Sequence, residues 1–313
     1  MSSFFADKRI LVTGASGFLG SHLIPVLKSR GARSIFAPGF KALDLREKQK
    51  CARAVSGMDI VIHLAARVGG IGYNQAVPGE MFFDNAVMGI HLMEEARKAG
   101  IKKYVSIGTI CEYPKVTPTP FREANLWAGY PEETNAPYGL AKKMQLVQAQ
   151  AYRAQYGFNA IHLLPVNMYG PGDNFHPRTS HVIPALIRRF HEAKLSGEPQ
   201  VVVWGTGRAT REFLFVDDGA LAIALATERY NKAEPVNIGS GFEISIRNLA
   251  KLIKKLVGYR GRILWDRTKP DGQPRRKVDT SRAKNEFGFE ASTDFNKGVQ
   301  ETINWYLDKA SGK

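Results

Sequence analysis

A run of spaced glycines after the first apolar segment is the feature that most limits how this chain can fold. Leu11-Val12-Thr13 leads into Gly14-Ala15-Ser16-Gly17-Phe18-Leu19-Gly20, and a helical pattern follows. Where a strand ends in such a loop and a helix begins, backbone N–H groups and the helix dipole can approach a pyrophosphate closely. A tight turn that needs glycine only for its backbone angles is the alternative. The flanking strand and helix favour dinucleotide binding.

Short apolar runs alternate with helical patterns through the first half of the chain. Many residues in these runs are β-branched, and the runs end at glycine, proline or small residues, which is typical of a buried parallel sheet. The alternation predicts an α/β fold with a doubly wound parallel sheet of the Rossmann type. We expect strands at residues 9–13, 34–37, 59–64, 104–108 and 160–165, and a helix at residues 82–98.

The pattern changes after Asn167, where a loop dense in glycine, proline and histidine begins. We therefore expect a dinucleotide-binding domain over residues 1–172, rejoined by about residues 212–240, and a smaller substrate domain over residues 173–313. Further strands are predicted at residues 201–204, 212–216 and 235–238, and a basic amphipathic helix at residues 246–257.

The composition is that of a folded protein with an excess of positive charge. Hydrophobic residues make up 44% of the 313 residues and charged residues 23%, and the net charge is +15. This charge is compatible with nucleic acid, a membrane surface or an anionic small molecule, but we find no motif that reads nucleic acid. No segment approaches the roughly 20 apolar residues of a membrane span. The first residues lack the apolar run of a signal peptide, and two cysteines suit a reducing compartment, so we expect a cytoplasmic protein without membrane or nucleic-acid partners.

The end of the second predicted strand bears on the choice of coenzyme. An NAD site usually has an acid there for the ribose hydroxyls, and an NADP site has a base for the 2′-phosphate. This chain has Ala37-Pro38-Gly39-Phe40-Lys41, with no acid. Lys41 is a candidate for the phosphate, and a solvated surface lysine is the alternative. The segment favours NADP, and NAD stays possible.

A tyrosine and a lysine four residues apart, Tyr138 and Lys142, lie on one face of a predicted helix. A nearby cation lowers the pKa of a phenol toward the range of a general acid or base. The preceding strand delivers Thr109 and Cys111 to the carboxyl edge of the sheet, where ligands bind in such folds. Hydroxyl, tyrosine and lysine around a nicotinamide form a proton relay to a carbonyl or alcohol. His176 and His181 suggest a metal site, but no further ligand stands at suitable spacing, so we expect no metal.

Longer motifs carry a resemblance to a known family. The glycine loop, His63-Leu64-Ala65-Ala66 and the Tyr138/Lys142 pair resemble the extended short-chain dehydrogenase/reductase superfamily. Within it, several longer runs resemble the GDP-L-fucose synthase family over nearly the whole chain. These runs are Val68-Gly69-Gly70-Ile71, Cys111-Glu112-Tyr113-Pro114-Lys115, Asn135-Ala136-Pro137-Tyr138, Asn174-Phe175-His176-Pro177, Ser180-His181-Val182-Ile183-Pro184-Ala185-Leu186, Val203-Trp204-Gly205, Arg211-Glu212-Phe213-Leu214 and Lys269-Pro270-Asp271-Gly272.

The resemblance implies a reaction and a set of residue roles. That family converts GDP-4-keto-6-deoxy-D-mannose to GDP-L-fucose by epimerising C3 and C5 and then reducing C4 with NADPH. By position, Cys111 matches the base of epimerisation and His181 the acid on the opposite face. Tyr138 matches the proton donor at C4, and Thr109 the hydrogen-bond donor to the keto oxygen. Lys142 matches the residue that holds the nicotinamide ribose and lowers the pKa of the tyrosine.

The resemblance also implies binding residues and an assembly state. The family is homodimeric, so a homodimer is expected. Four positions match residues that bind the GDP-sugar: Arg189, Trp204, Arg211 and Asp271. The coenzyme site is expected to comprise Gly14, Ser16, Gly17, Phe18, Leu19, Gly20, Asp44, Leu45, Leu64, Ala65, Ala66, Ile107, Gly108, Tyr138, Lys142, Pro165, Val166, Asn167, Met168 and His181.

The chain departs from the family pattern at points that leave alternatives open. Thr109 stands where the family usually has serine, which keeps the hydroxyl. Ser16 and uncharged residues around Pro38 stand where family arginines read the adenosine phosphate, so coenzyme preference is open. Related enzymes act on other GDP-linked 4-keto sugars, including heptoses. A nucleotide-sugar epimerase that keeps NAD bound and a non-catalytic binding protein are further alternatives.

Part of the positive charge of the chain is concentrated in one segment of the expected substrate domain. Residues 251–277 hold ten lysines and arginines against Asp266 and Asp271 alone. This segment falls in the expected substrate domain, where it would attract a sugar diphosphate. The charge is therefore interpreted as attraction for anionic nucleotides, and the remainder as solvated surface.

Overall fold

A six-stranded parallel sheet forms the centre of the computed structural model, which describes residues 3–269 and 271–311. Its strands lie side by side in the order β2-β1-β3-β4-β5-β9, and every neighbouring pair is parallel. They are β1 (Arg9–Thr13), β2 (Ser34–Phe36), β3 (Ile60–His63), β4 (Lys103–Ile107), β5 (Ala160–Pro165) and β9 (Val236–Ile238).

Helices cover both faces of this sheet because its inner strands are apolar on both sides. Ile10 and Val12 of β1 pack into one core cluster, while Leu11 between them packs into another, as the two-residue period of a strand requires. Helices α1 and α7 pack together over the first cluster, and α2, α4 and α5 over the second. The helices of this layer are α1 (Phe18–Ser29), α2 (Lys48–Val55), α3 (Ile71–Ala76), α4 (Pro78–Lys98), α5 (Ala136–Tyr156) and α7 (Val216–Arg229).

A second group of strands and helices has its own core. In it β8 pairs with β10 in antiparallel fashion and with β6 and β12 in parallel fashion, while β7 pairs with β11. The strands are β6 (Asn167–Tyr169), β7 (Gln200–Trp204), β8 (Thr210–Phe215), β10 (Glu243–Ser245), β11 (Arg262–Asp266) and β12 (Arg275–Arg276), and the helices are α6 (Val182–Ser196), α8 (Ile246–Val257) and α10 (Phe295–Ala310). Helix α9 (Ser281–Phe287) packs instead against α7 and β9, in the core of the first sheet. Strand β6 follows β5 after one residue and so carries the chain from the first sheet to the second.

The predicted α/β class and parallel sheet are confirmed, and the predicted strands lie within one or two residues of those found. The helix expected at residues 82–98 begins earlier, at Pro78, because a proline fits the first helical position and Glu80 suits the first turn. The short strands β6, β10, β11 and β12 were not predicted, since two to five residues carry little periodicity. Pro270 of the quoted Lys269-Pro270-Asp271-Gly272 motif lies outside the described residues. Among the described helices, none combines the length and apolar character needed to cross a bilayer.

Candidate active site

The connection from β1 into α1 requires glycine at two positions, one in the loop and one in the first turn of α1. Gly14 has a φ of +69°, and a Cβ there would lie 2.8 Å from the backbone nitrogen of Ala65. A Cβ on Gly20 would overlap the backbone of Gly14 and Ala15. Helix α1 begins at Phe18, immediately after the loop residues 14–17. Exposed N–H groups at a helix start are what a pyrophosphate requires, so the loop fits a dinucleotide.

The end of β3 is tied to the glycine loop through Thr13. Its hydroxyl oxygen accepts a hydrogen bond from the Ala65 N–H at 3.2 Å and lies 2.9 Å from Nδ1 of His63. Burial, with a smaller contribution from the positive charge of Lys142, holds the pKa of His63 well below its usual value. The expected coenzyme residues Leu64, Ala65 and Ala66 are therefore held beside the loop.

The segment after β2 differs in part from the sequence expectation. The Asp44 carboxylate accepts hydrogen bonds from Nε and Nη2 of Arg46 at 3.0 and 2.7 Å, and this contact lowers the pKa of Asp44. Leu45 is only 3% exposed, so a coenzyme could meet its backbone but not its side chain. Ser16 and Lys41 are exposed. Arg46, which sequence reasoning missed, adds a cation 5.7 Å from the ring centroid of Phe40.

A short 3-10 helix, Ile110–Glu112, follows β4 and carries the expected thiol. Thr109 caps it, because its hydroxyl accepts a hydrogen bond from the Cys111 N–H at 3.2 Å. The Glu112 carboxylate accepts one from the Thr109 N–H at 2.9 Å, which completes a reciprocal capping box. We call residues 109–112 the capped turn. It fixes the backbone of Thr109 and Cys111, whose side chains are half-buried, directly after the expected coenzyme residues Ile107 and Gly108.

The start of helix α5 packs against the capped turn and brings Tyr138 to it. A Cβ on Gly139 would overlap the carbonyl of Cys111, so only glycine allows this approach. Lys142 lies one turn further along α5 and is 2% exposed, and burial lowers its pKa to about 8. The expectation that Lys142 lowers the pKa of Tyr138 is wrong for this structure. Burial raises the pKa of Tyr138, and the nearby Cys111 and Glu112 raise it further, so the phenol is held protonated.

Two arginines of the second sheet reach the thiol side of this site. Strand β12 pairs with β8 so that Arg276 lies beside Arg211, and Nη1 of Arg276 is 3.8 Å from the Cys111 sulfur. Arg211 donates hydrogen bonds to the carbonyls of Gln273 and Asp271 at 2.7 and 3.1 Å. Burial and the charge of Arg276 lower the pKa of Arg211 to about 10. Arg276 was not singled out from the sequence, although it lies in the basic segment 251–277.

The remaining expected substrate residues lie around β7. Trp204 ends this strand and is 55% exposed, with Nζ of Lys269 5.6 Å from its ring centroid. Arg189 on α6 donates a hydrogen bond to the carbonyl of Val202. The carboxylate of Asp271 accepts hydrogen bonds from the N–H and hydroxyl of Thr206 at 2.7 and 2.6 Å, so it holds a loop.

His181 precedes helix α6 at its N-cap position. Its ring can be reached by solvent, yet the surrounding protein removes enough water to lower its pKa. Within residues 3–269 and 271–311, no three acids, histidines or cysteines are placed to hold a metal ion. The loop before it is held by a hydrogen bond of 3.1 Å from the Gly70 N–H to the carbonyl of Thr179.

The last group of expected coenzyme residues, Pro165, Val166, Asn167 and Met168, forms the crossing from β5 to β6. The Val166 N–H donates to the Ile238 carbonyl at 2.9 Å, and the Val166 side chain is buried. Asn167 and Met168 are half-buried at the start of β6. The crossing therefore places backbone from both sheets at the carboxyl edge beside the capped turn.

Comparison with known proteins covers nearly the whole chain. Residues 10–239 match the NAD dependent epimerase/dehydratase family. The chain is 42% identical over 313 residues to the probable GDP-L-fucose synthase 1 of Oryza sativa subsp. japonica, covering 98% of this chain and 95% of that protein. A GDP-L-fucose synthetase from Naegleria fowleri bound to NADP has a TM-score of 0.87 at 27% identity, covering 97% and 95%. A GDP-6-OMe-4-keto-L-xylo-heptose reductase from C. jejuni has a TM-score of 0.91 at 26% identity, covering 97% and 99%.

These similarities agree with the site geometry. The glycine loop fits a dinucleotide, and an NADP-bound structure is among the similar ones. The resemblance drawn from the sequence motifs is confirmed, and with it an NAD(P)-dependent enzyme of sugar epimerase and reductase chemistry. The chain belongs to the NAD dependent epimerase/dehydratase family and, within it, to the GDP-L-fucose synthases.

Proposed function

We propose that this chain converts GDP-4-keto-6-deoxy-D-mannose to GDP-L-fucose by 3,5-epimerisation and NADPH-dependent 4-reduction. One observation carries this proposal beyond the family assignment. The capped turn packs the Cys111 backbone against the start of α5, which bears Tyr138, and sets the Cys111 thiol beside the Arg276 guanidinium. A thiol, a phenol and a cation at the carboxyl edge suit proton abstraction next to a ketone followed by protonation of its oxygen.

The epimerisation is assigned to Cys111, His181 and Thr109. A proton next to a ketone is acidic only while negative charge on the carbonyl oxygen is stabilised, and inversion needs a base and an acid on opposite faces. Cys111 is the base, and the Arg276 guanidinium places a positive charge where the thiolate forms. His181 is the acid, and the Thr109 hydroxyl donates to the keto oxygen.

The reduction is assigned to Tyr138 and Lys142. The glycine loop would hold NADPH, which when bound would supply the hydride for C4. The Tyr138 phenol, whose pKa is raised by burial, stays protonated at neutral pH and donates its proton to the C4 oxygen. The Lys142 ammonium holds the ribose hydroxyls of the nicotinamide nucleotide.

Lys142 predicts how reduction depends on pH. Its pKa of about 8 lies below the ordinary 10.5 of a lysine because it is buried. The amine is an ammonium below this pKa and loses its charge above it, so we expect kcat for NADPH oxidation to fall as pH rises through about 8. The measurement is kcat from about pH 6 to about pH 10 at constant ionic strength. A rate that stays flat to about pH 10 would contradict the assignment.

The second group of strands is proposed as the substrate domain, with its boundary near residue 172. Arg189, Trp204 and Arg211 are the proposed GDP-sugar contacts, because forked guanidinium groups suit phosphates and an exposed indole suits a sugar or base. Asp271 is proposed to position this site through Thr206 rather than to bind the sugar nucleotide directly.

The function is tested with the purified chain, GDP-4-keto-6-deoxy-D-mannose and NADPH. We expect NADPH oxidation with formation of GDP-L-fucose, and deuterium from D2O at C3 and C5. A GDP-linked 4-keto heptose is the parallel substrate, since a heptose reductase is among the similar structures. Reduction of the heptose alone, without deuterium uptake, would favour that second activity. Tightly bound NAD without net coenzyme consumption would favour an NAD-retaining epimerase.

A homodimer through helices α4 and α5 is part of the proposal. These helices pack together, and their outer surface exposes apolar side chains that include Phe83 (62%), Ile90 (37%), Met144 (37%) and Val147 (49%). An exposed apolar patch of this kind is typical of a subunit interface. We expect the wild-type chain to sediment as a dimer and the double variant Phe83→Glu/Val147→Glu as a monomer. The matched control is Leu195→Glu, at an exposed position near the end of α6. A double variant that stays dimeric would exclude this interface.

The proposed location is the cytoplasm. Cys51 and Cys111 are both free thiols in the structure, and Cys111 must stay reduced to serve as a base. The substrate and NADPH assigned above are also anionic nucleotides. Fractionation of cells with an antibody against the chain tests the location directly.

A further inference from the structure

A buried acid at the end of the capped turn and an imidazole on β5 lie against each other, and the proposed reaction does not use them. Glu112 and His162 are 0% and 1% exposed. Nε2 of His162 is 3.1 and 3.2 Å from the two carboxylate oxygens of Glu112. Because each group is removed from water, their mutual contact must compensate for lost hydration.

The hydrogen-bond directions around the imidazole determine where its protons are. The Gln145 amide donates through Nε2 to the Asn85 carbonyl at 3.2 Å, which turns its oxygen toward Ser106. The Ser106 hydroxyl donates to that oxygen at 3.0 Å, so it can only accept from His162. Nδ1 of His162, 3.1 Å away, therefore carries a proton. One further proton is shared between Nε2 and Glu112, and the pair is neutral as a unit.

The same pair also fixes the start of the capped turn at Thr109. Glu112 accepts from the Thr109 N–H at 2.9 Å, so its side chain links His162 to the residue that caps Cys111. A Cβ on Gly108 would overlap both the Glu112 carboxylate and the His162 ring. The backbone at the end of β4 therefore packs directly against this pair. The contact restricts the capped turn to one backbone conformation.

We propose that Glu112 and His162 are positioning residues that fix Thr109 and Cys111 for proton abstraction, an inference that rests on the proposed function. A buried charged pair is a poor device for stability alone, since apolar side chains of similar volume are often as stable or more so. The pair orients the capped turn, because its hydrogen bonds connect His162 on β5 through the Glu112 carboxylate to the Thr109 N–H.

The main test replaces both members by apolar side chains of similar total volume, as Glu112→Leu/His162→Val. No buried charge is left unpaired, so we expect a folded protein with a melting temperature at or above that of wild type. Deuterium uptake at C3 and C5 should fall about 10- to 100-fold in kcat, because the thiol is misplaced. KM for the sugar nucleotide should change by less than about twofold, since uniform binding is untouched. A folded double variant with the wild-type uptake rate would overturn the proposal.

Two variants separate position from charge. Glu112→Gln keeps an acceptor for the Thr109 N–H and donates to His162, so its uptake should stay within about threefold of wild type. A loss as large as that of the double variant would overturn the positioning role. Arg30→Met/Glu228→Leu removes a remote ion pair between the residue that follows α1 and helix α7, and should leave uptake unchanged. If the apolar double variant does not fold, His162→Asn is used in its place. An asparagine side chain is too short to contact both Ser106 and Glu112, so the same loss of deuterium uptake is expected. Unchanged uptake in His162→Asn would overturn the proposal.

Alkylation of Cys111 by iodoacetamide gives a readout without substrate. Cys51 is fully buried, so Cys111 is the accessible thiol. The alkylation rate should change at least about threefold in Glu112→Leu/His162→Val and stay at the wild-type value in Glu112→Gln. A wild-type chain that takes up no deuterium from D2O sinks the proposed function, and the alkylation rates then decide whether the pair positions the turn.

Discussion

Tyr138→Phe is expected to slow NADPH oxidation by about 10²- to 10⁴-fold, the range that a positioned general acid contributes. The phenol is the proposed donor to the C4 oxygen, and phenylalanine keeps its ring and packing without the proton. The raised pKa of Tyr138 keeps the phenol protonated at neutral pH, so the proton is present for transfer to the C4 oxygen. Deuterium uptake at C3 and C5 should persist, because Cys111 and His181 remain. The epimerised ketone should therefore accumulate, which NMR of the sugar nucleotide measures.

Tyr156→Phe is the matched control for this experiment. Tyr156 is the last residue of the same helix α5 and is 48% exposed, away from the capped turn. Its variant should oxidise NADPH at the wild-type rate. Reduction by Tyr138→Phe at the wild-type rate would show that another group protonates the C4 oxygen.

The fold was predictable from the sequence where signals are local. The βαβ pattern, the glycine loop and the buried strands each depend on a few neighbouring residues. The crossing strand β6 and the two-residue strand β12 were not predictable, because their partners on β8 lie 46 and 65 residues away in the chain. Their pairing decides which residues of the second sheet face the thiol.

The residues of the candidate site were likewise predictable only where the signal is local in the sequence. Tyr138, Lys142, Thr109 and Cys111 were found because each stands in a motif or at the end of a predicted strand. Arg276 reaches Cys111 across 165 positions of the chain. The contact between Glu112 and His162 spans 50 positions, and neither residue stands in a pattern that predicts the other. Contacts of this range become visible only once the sheet order is known.

The basic segment 251–277 does less at the site than its charge suggested. Arg275 forms an ion pair with Glu243 at the surface, and Lys251 and Lys255 are exposed on α8. Arg276 is buried at 9% exposure and lies beside the thiol. Arg276 is therefore the cation of the segment that lies beside the thiol, Lys269 lies over the proposed substrate contact Trp204, and Lys251 and Lys255 can act on nucleotides only at long range.

Cys111→Ser and His181→Gln are expected to fail in different ways, which tests the assignment of base and acid. Without NADPH, the base alone should remove a proton and return deuterium on the same face. Cys111→Ser should lose both deuterium uptake and inversion by about 10²- to 10⁴-fold, because a serine hydroxyl is a far weaker base. His181→Gln should keep uptake and lose inversion by a similar factor, because no acid remains on the opposite face. Chiral analysis of the recovered sugar nucleotide separates the two results.

Cys51→Ser is the control that isolates the thiol at the site. Burial raises the pKa of Cys51 to about 12, and its sulfur donates to the Leu45 carbonyl at 3.3 Å, so this thiol cannot act as a base. Its variant should exchange and invert at the wild-type rate. If Cys111→Ser kept full uptake, the base would have to be another group on that face. If His181→Gln inverted at full rate, water or a different side chain would supply the proton, since a base fixed on one face of a fixed enolate returns the proton to that face.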